Sequence, residues 1–126
     1  MAKTSKALLL IIPDIPMWLN CEHRHVDYFF TQILTGHGRF RHYAKRMGKT
    51  NDDKCSYCSE RDTAEHTFFH CEKWETYRSE SYHELGLVVS TDNIQDVLLS
   101  STKSWTILKT LAKNIMQTKE REERTS

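Results

Sequence analysis

The chain has 126 residues, the size of one ordinary domain, with 18 Lys plus Arg against 17 Asp plus Glu. That balance excludes a basic nucleic-acid tail and an acidic solvating segment as descriptions of the whole chain. Hydrophobic residues make up 38% and Gly and Pro are few, which is polar for a globular domain but is not the composition of a disordered one.

In chain order, the apolar run Ala7–Ile12 follows two lysines but ends at Pro13 after six residues. A secretory h-region is longer, and a membrane helix needs about 20 apolar residues. The run therefore predicts neither, and the expectation is a nuclear or cytoplasmic protein that is not secreted and meets no membrane. Residues 1–20 read as an extended N-terminal segment around Pro13 and Pro16.

Residues 21–50 read as a helical segment. Val26, Phe29, Phe30, Ile33 and Leu34 recur at helical spacing, the "TGHG" turn interrupts, and Phe40, Tyr43, Ala44 and Met47 resume the pattern until Gly48. Between His37 and Thr50 there are five bases and no acid. If that stretch is one helix, Arg41, Lys45 and Lys49 form a stripe at i, i+4 and i+8, with His42 and Arg46 beside them and Arg39 as the remaining candidate contact. Such a stripe suits a phosphate backbone, although the pattern is equally that of a solvated helix face.

Residues 51–80 hold three of the four cysteines, in the pattern C-x2-C-x7-H-x4-C. Cys55 and Cys58 can direct both sulfurs of a tight turn at one ion. His66 and Cys71 would close a tetrahedral zinc site with no position left for water, so the expected cofactor is one structural Zn2+. His70 is the competing ligand, but it abuts Cys71, and neighbours in a regular segment point apart. His66 is therefore preferred. A reducing compartment favours metal binding over disulfides for these cysteines, and Cys21 is read as a buried or free thiol. A redox C-x-x-C lacks its βαβ setting, and a zinc deaminase would need an upstream H-x-E.

From Asn51 to Glu80 there are eight acids and four bases, so the metal segment is an unsuitable phosphate contact by itself and is expected to brace the basic helix. Residues 81–126 read as C-terminal helices. Glu72–Leu85 is a helix stopped at Gly86, and Asp92 is the N-cap candidate for a short helix bearing Ile94, Val97 and Leu98. A long final helix carries the stripe Trp105, Leu108, Leu111, Ala112, Ile115 and Met116, then fades into "KEREER", expected to be a solvated frayed end. The predicted fold class is mostly α, a small helical domain stapled by a CCHC zinc knuckle.

The stretches "DYFFTQILTGHGRFRHYAKRMGK" and "DTAEHTFFHCEKW", with the cysteine pair between them, resemble the C-terminal region of reverse transcriptases from non-LTR (LINE-type) retrotransposons. Within that family the resemblance is to the arthropod group that inserts into ribosomal DNA. The resemblance runs from about "IIPDIPMWL" to "STDNIQDVLL" and implies Cys55, Cys58, His66 and Cys71 as zinc ligands, with RNA or target DNA as partner and a reverse transcriptase core as a further one. The family's polymerase Y-x-D-D motif and its endonuclease residues are missing from this sequence, so the chain by itself is expected to be no enzyme. "NCEHRH" also departs from the more basic, glycine-containing stretch of relatives. Two readings result: a zinc-stabilised nucleic-acid-binding region of a polyprotein, or a structural or protein-docking zinc module, as a partial polyprotein, a decayed copy or a captured host gene.

Overall fold

The computed structural model describes residues 28–125. Expectations for the N-terminal segment, for Cys21 and for Val26 lie outside them. The described chain is mostly helical: α1 (Tyr28–Thr35), α2 (Arg41–Arg46), a π-helical turn (His66–His70), a 3-10 turn (Glu72–Trp74), α3 (Glu75–Leu85), α4 (Ile94–Ser100) and α5 (Thr102–Thr125). Among the described residues there is no strand, only an isolated antiparallel bridge between Lys54 and Arg61.

The long helix α5 organises the rest, because α1, α3 and α4 all pack along it. Its predicted stripe is the face they bury: Trp105, Leu108, Leu111, Ala112, Ile115 and Met116 are all nearly solvent-free. Phe30, Ile33 and Leu34 from α1 meet that face, with the Phe30 and Trp105 rings edge to face at 5.3 Å. Ile94, Val97 and Leu98 do the same from α4. Phe40, Phe68, Cys55, Cys71 and Trp74 join the same continuous core, so the cysteine segment is part of it and not an appended finger.

Helix ends follow local chemistry. Gly86 adopts φ +78, its N–H reaches the carbonyls of Tyr82 and His83, and the N–H of Leu87 returns to Tyr82, which closes α3 as a Schellman motif. At α4 the N-cap position belongs to Asn93, one residue beyond the expected Asp92, and its Oδ1 is engaged by the Ser90 N–H.

Two expectations are corrected. First, the basic helix is short. It ends at Arg46, Gly48 turns the chain at φ +74, and the Lys49 N–H closes back on the Ala44 carbonyl. Lys49 therefore lies off the helix, and the i, i+4, i+8 stripe is reduced to Arg41 and Lys45. Second, "KEREER" is neither frayed nor fully solvated. The helix continues to Thr125, and Lys119 is only 1% exposed. Its ammonium donates to Asp62 at 3.1 Å, to Glu123 at 2.9 Å and to the Arg39 carbonyl. Glu122 in turn accepts the Tyr57 hydroxyl at 2.7 Å and pairs with Lys73 at 3.5 Å. These charges dock α5 onto the cysteine segment.

Candidate metal centre and basic surface

Cys55 leaves the Lys54–Arg61 bridge with its N–H on the Glu60 carbonyl, a tight loop that returns Cys58 beside it. The Tyr57 N–H points at Cys55 Sγ, 3.4 Å away. Thr63 starts the following turn by accepting the His66 N–H on its hydroxyl. The chain then widens into the π turn, whose i→i+5 bond runs from the Cys71 N–H to the His66 carbonyl. The wide turn accommodates the five-residue step and puts His66 and Cys71 on one side.

The Sγ atoms of Cys55 and Cys58 lie 3.8 and 3.9 Å from Cys71 Sγ, and His66 Nε2 lies 3.0 Å from Cys58 Sγ. All four donor atoms fall within 4.8 Å of one another. A Zn–S bond of about 2.3 Å gives a tetrahedral S···S edge of about 3.8 Å, which the two Cys71 distances match, while His66 and Cys58 stand closer together than a shared ion would hold them. The residues present therefore fit the metal. His70 is directed elsewhere, exposed and 3.8 Å from Glu65.

Cys55, His66 and Cys71 are buried, and Cys58 is partly exposed. Burial pushes the Cys71 thiol up to about 12 and also raises Cys58, and it lowers the His66 imidazole. Two thiols are thus protonated and the imidazole neutral near pH 7, and a metal binding there displaces protons. Zn2+ with three thiolates would leave a net single negative charge, and a buried cation stands next to it. Arg78 on α3, 3% exposed, donates to the carbonyls of Thr67, Phe68 and Cys71. Sequence pattern does not single out Arg78, because a lone Arg on a polar helix ordinarily faces water.

The basic residues are largely paired. Arg39 meets Glu120 at 3.6 Å, Arg41 meets Asp52 at 3.2 Å, and Lys45 meets Asp53 at 3.8 Å. Among the described residues neither Arg46 nor Lys49 has an ion pair, and both are exposed. His42, half-buried, lines a small cavity with Arg46. The link between the two sites is Asp62, 1% exposed, an acid that sequence reading passed over. Its carboxylate accepts the Arg41 N–H at 2.8 Å and its carbonyl accepts the His42 N–H at 3.1 Å. A residue of the cysteine segment thus caps the basic helix from outside, where an acid also complements the helix dipole.

Fold and site together define a small helical domain built around a Cys3His cluster suited to zinc. The chain is 24% identical over 100 residues to a retrovirus-related Pol polyprotein from type-1 retrotransposable element R1 4 of Nasonia vitripennis. The match covers 79% of this chain and 26% of that polyprotein, so the chain spans about a quarter of its relative. The similarity supports a retrotransposon-related origin. No protein-family profile matches the chain, and no solved structure does. Among the described residues no helix is long and apolar enough to cross a membrane.

Proposed function

We propose that this chain is the zinc-stabilised nucleic-acid-binding region of a retrotransposon reverse transcriptase polyprotein of the arthropod group that inserts into ribosomal DNA, acting in the nucleus and carrying no catalytic centre of its own. The observation that carries the reading is the Cys3His cluster, its four donor atoms within 4.8 Å of one another, in a chain similar to a retrotransposon Pol polyprotein. Through Asp62 the cluster holds the start of α2, and it thereby orients the basic surface without touching phosphate itself. Cys55, Cys58, His66 and Cys71 ligate one structural Zn2+. RNA or DNA is gripped by Arg46 and Lys49, with His42 beside them, while Arg39, Arg41 and Lys45 contribute less because acids already neutralise them. Those same ion pairs favour a second reading, a module that docks on the polymerase core of the polyprotein.

The test is binding of duplex and single-stranded probes across a salt series. R46Q/K49Q is expected to weaken binding and to flatten the log–log salt slope by about 0.9 per lost contact on duplex DNA and about 0.7 on a single strand. R41Q/K45Q should change it less. Absence of binding by the wild-type, zinc-loaded chain at low salt, with salt-insensitive binding to a polymerase fragment, would overturn the first reading in favour of the second.

A further inference from the structure

The "TGHG" turn is built more rigidly than a connector needs. Gly36 takes φ +74 and closes α1 on the Gln32 carbonyl. Gly38 takes φ +144, and any Cβ there would overlap the buried side chain of Gln32, whose Oε1 accepts the Arg39 N–H at 2.8 Å. Between the two glycines the His37 N–H is held by the Thr35 hydroxyl, which itself donates to the Thr31 carbonyl. The turn is fixed on both sides, yet the residue it presents is exposed. The His37 ring lies on the Tyr43 ring, with centroids 4.6 Å apart and planes 22° from parallel.

These rings border a cavity of about 180 Å³ between the turn, α2 and the start of the cysteine segment. Thr35, His42 and Thr63 supply its polar lining, with Glu65 as its acid and Arg46 and Arg61 as its cations. Arg61 is already held by Asp53 at 3.3 Å, which leaves Arg46 as the cation to meet an anion. Drug-sized ligands occupy roughly 300–1,000 Å³, so this cavity is the size of one ring system. Its chemistry is a fixed aromatic wall with a guanidinium at the rim. Aromatic walls hold unstacked bases of any sequence, and duplexes keep their bases stacked and out of reach.

We infer that the His37–Tyr43 wall and Arg46 form a pocket for one unpaired nucleotide, with the base stacked on the ring pair and its phosphate on Arg46. The inference rests on the nucleic-acid reading above and deepens it: the preferred partner is a single strand, entered at the "TGHG" turn.

The experiment compares the zinc-loaded full chain with H37A and H37F, binding a fluorescein-labelled oligo(U) of about 12 nucleotides, a length within the range of single-strand sites, and a blunt-ended RNA duplex with no unpaired bases. H37A should weaken oligo(U) binding about 5- to 150-fold, the range for loss of one base stack. Its duplex binding should change by less than about twofold, its oligo(U) salt slope should stay the same, since no phosphate contact is removed, and H37F should restore affinity because it restores a ring. His37 is exposed, so these variants keep the fold, and unchanged zinc content verifies that. Equal oligo(U) affinity for H37A and wild type, or a loss shared by both probes, overturns the pocket and leaves the nucleic-acid reading intact. A wild-type chain that binds neither probe overturns both.

Discussion

At the scale of single residues, the two buried cations, Arg78 and Lys119, are the ones least visible in sequence. Lys119 sits in a run of charges, and such runs usually face water. Here its four-carbon stem lies in the core, with the ammonium 5.4 Å from the centre of the Phe40 ring and paired to Asp62, both partners being almost wholly buried. Removing one member of such a pair leaves the other charge dry and uncompensated, which costs about 3–5 kcal/mol. K119M should therefore lower the stability of the zinc-loaded protein by that amount. Arg41 and Asp52 form an exposed pair, and R41Q should cost no more than about 1 kcal/mol. Urea titration of the two variants measures both, and equal midpoints would show that the Lys119 ammonium reaches solvent after all.

Among the elements, those with strong periodicity were legible. The apolar faces of α1, α4 and α5 follow from spacing alone, because Phe30, Ile33, Ile94, Leu108 and their neighbours have one dry side to face. The shortness of α2 was not legible, since its basic pattern continues through Gly48 to Lys49 while the backbone turns away. Nor does spacing reveal that the acids paired with Arg41 and Lys45 come from the following loop. The cysteine spacing was legible as a metal pattern, but its physical basis is a π turn, and local propensity does not encode one. That turn brings His66 to Cys71 across an i→i+5 bond and leaves His70 outside. H66A should accordingly abolish stoichiometric zinc, and H70A should retain it. Metal analysis after gel filtration decides the matter, and zinc kept by H66A but lost by H70A would mean that the turn rearranges on metal binding.

For the molecule as a whole, the cysteine segment and the helical core differ in what holds them. The helices α1, α4 and α5 bury a continuous apolar face, and face burial of this kind is what stabilises helices in water. Residues 51–71 have little regular structure of their own. They are held by Phe68 in the shared core, by Arg78 on the carbonyls of Thr67, Phe68 and Cys71, by Asp62, by the Tyr57–Glu122 contact and by the four donor atoms. Structural zinc in small modules supplies roughly 10–16 kcal/mol of apparent binding energy near neutral pH, so its removal should open this segment before the helices. Hydrogen exchange after chelation should show amides of residues 53–71 losing protection first, with α1 and α5 following later. Proton linkage sets the pH dependence. The Cys58 and Cys71 thiols lie above their ordinary range and are protonated in the metal-free fold at neutral pH, so at least two protons leave as the metal binds. Affinity must then rise with pH, by about two log units or more per unit near pH 7, and fall as the medium acidifies. The lowered imidazole of His66 adds no proton at that pH, and would begin to compete only in more acidic solution. Competition for zinc against a chromogenic chelator between pH 6 and about 8 reads this slope directly. A flat profile would mean that the thiolates form before the metal arrives, with Arg78 as the nearest buried charge able to stabilise them.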